Sequence, residues 1–193
     1  MLSKQEIMDL FKRTGVLWEG HFVLTSGRHS AHYLQCASVQ QYPEENALLC
    51  HNLAEHFKGQ GITTVIGPAI GAIVMSYEIA RYLGTRFLFA ERENGVMTLR
   101  RSFKLEPGER VLVVEDVITT GGSVKEVMEV VRQHGAVPVG VGVLVDRSNG
   151  RADLGVPVKS LISFDIETYA ADDCPLCRQG LPIIKPGSRQ ITV

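Results

Sequence analysis

The chain has 193 residues, 45% of them hydrophobic and 21% charged, and its 20 lysines and arginines nearly balance 21 aspartates and glutamates for a net charge of −1. That composition describes one globular domain, excludes disorder as the main state, and offers no general basic field for nucleic acid. No apolar run reaches the roughly 18 to 20 residues a bilayer requires, and Met1 to Glu6 lack a signal-peptide core, so a cytoplasmic protein is expected, off the membrane and with its four cysteines reduced.

Ser3 with Glu6 three residues on reads as a capping box opening a helix that Gly15 ends. Residues 16 to 40 show no clean period and read as loops and short strands. Pro43 suits the first turn of a second helix running to about Lys58. From residue 62, short β-branched runs alternate with helical ones. Strands are expected at Ile62 to Ile66, Arg86 to Ala90, Arg110 to Val114, Val137 to Val145 and Lys159 to Ile166. Helices are expected at Gly71 to Leu83, stopped by Gly84, and at Ser123 to His134, stopped by Gly135. Apolar strands joined by helices imply an α/β fold with a parallel sheet covered on both faces. The second of these helices places Val124, Val127, Met128 and Val131 on one face. No repeat or linker divides the chain, so residues 1–193 read as a single domain.

The most informative string is Val111-Leu112-Val113-Val114-Glu115-Asp116-Val117-Ile118-Thr119-Thr120-Gly121-Gly122-Ser123. An apolar strand delivers two adjacent carboxylates to the edge where open α/β proteins bind ligands. Gly121 and Gly122 admit close backbone approach, Thr119, Thr120 and Ser123 add hydroxyls, and the helix that follows offers free N–H groups to a phosphate. Phosphate below and carboxylates beside it suggest a ribose phosphate. The string lacks Gly-Lys-Ser/Thr and Gly-x-Gly-x-x-Gly, so it is neither a Walker A nor a dinucleotide loop.

This string resembles the phosphoribosyl-pyrophosphate signature of type I phosphoribosyltransferases, and the rest of the chain resembles an orotate phosphoribosyltransferase. The resemblance also rests on Phe22-Val23-Leu24-Thr25-Ser26-Gly27-Arg28-His29-Ser30, on Gly67-Pro68-Ala69-Ile70-Gly71 and on Val145-Asp146-Arg147. It implies the type I phosphoribosyltransferase fold, a central parallel sheet flanked by helices with a small N-terminal hood. That hood would be built mainly from residues 1–40 plus the C-terminal segment. It implies transfer of phosphoribosyl to orotate, giving orotidine 5-monophosphate and diphosphate in pyrimidine biosynthesis. Glu115 and Asp116 would hold the ribose hydroxyls, Thr119 to Ser123 the 5-phosphate, and Ala69, Ile70 and Gly71 the pyrophosphate. Thr119, Arg147 and the Ser26, Gly27, Arg28 element would meet orotate. A guanidinium pairs bidentately with a carboxylate such as orotate's.

Residues 91 to 104 carry Arg92, Arg100, Arg101 and Lys104 against Glu91 and Glu93, with Gly95 as a hinge. They read either as a solvated hairpin or as a mobile flap that brings cations to pyrophosphate and excludes water. By the resemblance such a flap serves the neighbouring subunit, which implies a homodimer, with Arg92, Arg100, Arg101 and Asp116 as the catalytic group. Mg2+ is the expected cofactor, since a hard ion suits phosphate and hydroxyl oxygens with few protein ligands. No protein metal ligand is assigned. Thr25 and Gly71 stand where well-studied orotate enzymes carry lysines, and Glu93 follows Arg92 where they carry another.

Cys174-Pro175-Leu176-Cys177 has the spacing of half a zinc knuckle, but Cys36 and Cys50 are distant in sequence, so a reduced, packed turn is expected. Tyr33 and Leu34 fall where the family walls the base, although core packing is the commoner reason for an aromatic there. His29 and His32 read as polar loop residues, His51 and His56 as surface. The residues alone also leave open transfer to a purine or other base, and a regulator that senses the sugar phosphate without turnover.

Overall fold

The computed structural model describes residues 1–24, 26–164 and 166–186. Helix α1 (Lys4–Arg13) begins on the expected capping box. The Glu6 amide donates to Ser3 Oγ at 3.2 Å and the Ser3 amide to Glu6 Oε2 at 2.8 Å. Strands β1 (Leu17–Val23) and β2 (His29–Leu34) pair antiparallel as a separate two-stranded sheet. The C-terminal segment ties onto this hairpin through its backbone. Val23 N donates to the Ile184 carbonyl at 3.0 Å, and His29 and Tyr169 exchange a pair of bonds at 2.9 and 2.8 Å. A 3₁₀ turn at Cys36–Gln41 leads into α2 (Pro43–Glu55), which has proline at its first position and ends before Lys58.

The main sheet contains β3 (Thr64–Pro68), β4 (Arg86–Glu93), β5 (Val96–Thr98), β6 (Arg110–Ile118), β7 (Val137–Asp146) and β8 (Val158–Ser163), in the order β5-β4-β3-β6-β7-β8. All neighbours are parallel except the β4–β5 hairpin. Helix α3 (Ile73–Leu83) connects β3 to β4, and α4 (Gly122–Gln133) connects β6 to β7. Successive side chains of β6 point to opposite faces. Leu112 and Val114 therefore join the core under α1, α2 and α3, whereas Val111 and Val113 join the core under α4. Val124, Val127, Met128 and Val131 are each at most 1% exposed, so the expected face of α4 is the buried one.

Several boundaries differ from the expected ones. β6 continues past Val114 to Ile118 because Glu115, Val117 and Ile118 pair with Val143, Val145 and Asp146 of the equally long β7. β4 continues past Ala90 to Glu93 and folds back on β5, an antiparallel edge that tolerates charge facing water. Helix α3 starts two residues after Gly71, and β8 covers 158–163 rather than 159–166. His29 lies in β2 and is only 6% exposed, contrary to its reading as a loop residue, and His32 is also in β2. His51 is half-buried, bonded to Glu78 at 2.6 Å and stacked on Tyr82. A lone histidine gives no sign of such partners in sequence, because they come from other elements.

Candidate active site

From β3 the chain moves outward to β4 and β5, then returns on the other side of β3 to build β6, β7 and β8. The winding thus reverses between β3 and β6, and at such a switch the connections leave the carboxyl edge in opposite directions and open a crevice. Both loops expected to bind the ligand flank this point: Ala69 to Gly71 after β3 and Thr119 to Gly121 after β6. A cleft of about 300 Å³ lies there, lined by Glu115, Val117 to Val124, Arg92 and Glu126.

The floor of the cleft is the start of α4. Gly121 caps it at φ +79°, and among the described residues no side chain caps its first N–H groups. A β-carbon on Gly121 would meet Leu154 at 3.1 Å besides needing that left-handed backbone, so glycine is demanded twice. Thr119 and Thr120 are exposed at the rim, where their hydroxyls can join those amides around an anion.

Glu115 and Asp116 stand in β6 just before its last pairs, at Val117 and Ile118. Burial, then the neighbouring Asp116 charge, pushes the Glu115 carboxyl up to about 8. Burial also raises Asp116, but a hydrogen bond from Glu115 and the Val117 amide at 2.7 Å pull the other way. Burial thus disfavours charge on both carboxyls, and more strongly on Glu115. Among the described residues neither forms an ion pair with a lysine or arginine. Asp116 faces Gly71, where an added β-carbon would sit 3.2 Å from Oδ2. The pyrophosphate-loop candidates are thus held against the acidic pair, and the Gln40 amide donates to the Gly71 carbonyl from the 3₁₀ turn.

Arg147 follows β7, and its backbone N donates to the Ile118 carbonyl at 2.8 Å. Burial lowers its pKa, and its buried Nε has no hydrogen-bond partner among the described residues. Tyr33 of β2 is its neighbour: burial pushes the phenol up while the charge of Arg147 opposes that. Leu34, by contrast, packs in the core. The Ser26 to Arg28 turn is bound differently from Arg147. Arg28 Nε donates to Thr168 Oγ1 at 2.8 Å, so this element docks on the C-terminal segment. Thr25 lies outside the described residues. Arg92 reaches the cleft edge, 2.7 Å from Glu126 of α4. Arg101 instead pairs with Glu91 at 3.0 Å and Arg100 with Glu93 at 3.2 Å, both away from the cleft lining.

The phosphoribosyl transferase domain family matches residues 38–173. The orotate phosphoribosyltransferase of Desulforamulus reducens is 62% identical over 191 residues, covering 99% of this chain and all of the relative. The chain belongs to the orotate phosphoribosyltransferases. The orotate phosphoribosyltransferase of Pelotomaculum thermopropionicum is likewise 62% identical, over 98% of this chain and all of its own length. Among solved structures, the orotate phosphoribosyltransferase of Aeropyrum pernix superposes with a TM-score of 0.70 at 27% identity, covering 82% of this chain and 93% of that one. The general domain match starts at residue 38, past the β1–β2 hairpin, whereas the orotate phosphoribosyltransferase relatives match the hairpin as well.

Two positioning residues are Asp146, which entered the resemblance without a role of its own, and Gln40, which the sequence did not single out. Asp146 accepts from the Ser148 amide at 2.6 Å and from the Gly150 amide at 3.2 Å, which fixes the turn carrying Arg147. The Asp-x-Ser-Asn-Gly run after a strand is the signal that reveals it. Gln40 gives no comparable signal, because its partner Gly71 is 31 residues away.

Proposed function

We propose that the cleft transfers the phosphoribosyl group of 5-phosphoribosyl 1-diphosphate to orotate, releasing diphosphate and forming orotidine 5-monophosphate. The observation that carries this reading is the buried Glu115 carboxyl lining the cleft at the uncapped start of α4, with its neighbour Asp116 facing Gly71. The 5-phosphate fits the amides of Gly121 to Ser123 with Thr119 and Thr120. The ribose hydroxyls fit the two carboxyl groups. The diphosphate fits Ala69, Ile70 and Gly71, and the orotate carboxylate fits Arg147, beside Thr119 and the Ser26 to Arg28 hairpin.

Breaking the bond from C1 of the ribose to diphosphate leaves electrons on the leaving group and positive charge on the sugar, before a ring nitrogen of the base closes the new bond. Asp116 lies where its charge offsets the sugar cation, and orientation supplies much of the remaining acceleration. An acidic pair with no cation partner among the described residues suits Mg2+, which Glu115 and Asp116 would help hold beside the substrate's own oxygens and which would neutralise the departing diphosphate. Arg92, Arg100 and Arg101 on the β4–β5 flap are the protein's cations for the same charge. Homodimerisation, with the flap serving the neighbouring site, is supported by the exposed Ile70, Val74 and Tyr77 beside the diphosphate loop. A cytoplasmic, membrane-free protein accords with the described helices, none of which is long and apolar enough to span a bilayer.

The test is diphosphate release from purified protein with Mg2+, 5-phosphoribosyl 1-diphosphate and a panel of orotate, uracil, adenine, hypoxanthine and guanine. Turnover with orotate alone is expected. Turnover with a purine instead, or binding of the sugar diphosphate without turnover, overturns the assignment.

A further inference from the structure

The transferase chemistry makes no use of Cys174 and Cys177, at the start of the short helix α5 (Pro175–Arg178). Sequence offered only Cys36 and Cys50 as their partners. Those thiols lie elsewhere, Cys36 near Asp116 and Arg147, and Cys50 near Glu78. What meets the Cys-x-x-Cys turn is a pair of histidines from the N-terminal hairpin, His21 of β1 and His29 of β2.

His21 Nε2 lies 3.7 Å from both sulfurs, His29 Nδ1 lies 3.3 Å from Cys177 Sγ, and the two ring nitrogens are 2.8 Å apart. All four donor atoms lie within 4.8 Å of one another, and His21, His29 and Cys174 are 1%, 6% and 1% exposed. A tetrahedral ion with nitrogen at about 2.0 Å and sulfur at about 2.3 Å sets donor separations of roughly 3.3 to 3.8 Å. The three nitrogen–sulfur separations of 3.3 to 3.7 Å already match. The histidine pair needs to open by about 0.5 Å, and any donor pair nearer the 4.8 Å limit needs to close by up to about 1 Å. His21 Nδ1 donates to the Leu181 carbonyl at 2.9 Å. A carbonyl only accepts, so Nε2 keeps its lone pair for the cluster, the arrangement that orients histidine ligands. A hydrogen bond between the rings explains their own contact. It does not explain why two sulfurs converge on the same two nitrogens.

We propose that His21, His29, Cys174 and Cys177 bind one zinc ion. Mixed imidazole and thiolate donors in a closed tetrahedron favour zinc, and four protein ligands leave no position for substrate, so the site is structural. Binding releases the two thiol protons, and two thiolates then cancel the charge of the ion, leaving a neutral centre with three buried ligands and Cys177 at the surface. Cys174 is 153 residues from His21, so the ion clamps the C-terminal segment to the hairpin between the backbone bonds at Tyr169 and Ile184.

The full chain, expressed with zinc in the medium and purified without chelator, is expected to contain about one zinc per chain by elemental analysis. X-ray absorption at the zinc edge should show two sulfurs near 2.3 Å and two nitrogens near 2.0 Å. The double variant Cys174→Ser/Cys177→Ser should lose its zinc at least about tenfold. Should that variant not fold, the absorption spectrum of the unaltered chain decides the matter. Wild-type protein with less than about 0.1 zinc per chain, a zinc shell without sulfur, or a native Cys174–Cys177 disulfide overturns the proposal. None of these readouts depends on turnover, so the site stands or falls apart from the transferase assignment.

Discussion

Gly71 and Asp116 are built against each other: a β-carbon on Gly71 would stand 3.2 Å from Asp116 Oδ2, while the Val117 amide holds the other carboxylate oxygen at 2.7 Å. The carboxylate thus has little room to give way. Gly71→Ala is expected to fold with stability within about 0.5 kcal/mol of wild type, since the position lies outside the core. It should raise the KM for 5-phosphoribosyl 1-diphosphate roughly tenfold by moving a group that must be placed to within an ångström. Steady-state kinetics checks this, and an unchanged KM refutes the close fit as a functional feature.

The raised pKa of Glu115 makes a stability prediction. Its folded value of about 8 lies above the ordinary 4.5, so between these values the folded state binds more protons than the unfolded state. The stabilisation is complete below about pH 4.5 and is lost as pH rises through about 8. Glu115→Gln removes that titration. The melting temperature of the variant minus that of wild type should therefore increase steadily from pH 5 to pH 9. A difference that stays flat, measured without ligands, argues that Glu115 is not held protonated.

Gly67 shows the cost of a single methyl group in the packed strand β3 that precedes the Ala69 to Gly71 loop. A β-carbon there would lie 2.4 Å from Ser76 Oγ, 2.7 Å from Ala72 Cβ and 2.8 Å from the Val114 carbonyl. Two of these neighbours cannot rotate away. Gly67→Ala should destabilise the protein by about 1 to 3 kcal/mol, read as a lower urea midpoint. Ser76→Gly in the same chain should recover only part of the loss.

Arg147 is half-buried with an unpartnered Nε, a donor held ready for a ligand. Both Arg147→Ala and Arg147→Lys should raise the KM for orotate about 10- to 100-fold, since an ammonium cannot reproduce the planar fork. Affinity for 5-phosphoribosyl 1-diphosphate, measured calorimetrically without base, should change by less than about twofold. Equal losses for both substrates would place Arg147 in the fold rather than beside the base.

The flap cations are engaged with their own strand: Arg101 bonds both oxygens of Glu91 at 3.0 and 3.2 Å and lies over the Phe89 ring. Reaching a diphosphate means exchanging one carboxylate for another anion. Arg100→Ala or Arg101→Ala should lower kcat about tenfold or more for at least one of the two. If neither changes kcat or KM, residues 91–104 are a solvated hairpin and Arg92 alone serves the cleft.

The candidate phosphate loop was legible as a structural unit because its parts are contiguous. The run from Val111 through Ser123 writes strand, acidic pair, small-residue turn and helix start in thirteen residues, and each element forms through local hydrogen bonding and periodicity. The length of β6 was not legible, since Glu115 and Asp116 become strand only by pairing with β7. The β4–β5 hairpin was obscured in the same way, because charges that suggest a loop are equally at home on an exposed edge.

By itself the sequence determined the alternating strands and helices, the glycine-rich turn at the start of α4 and the residues fit to hold a sugar phosphate, all of them matters of spacing along the chain. Tertiary structure alone decided that Gly71 lies against Asp116, that Gln40 holds the Gly71 carbonyl, and that two histidines near one end meet two cysteines near the other. The physical reason is distance along the chain. Those contacts join residues tens to more than a hundred positions apart, and only the closing of the sheet and the docking of the C-terminal segment bring them within bonding range.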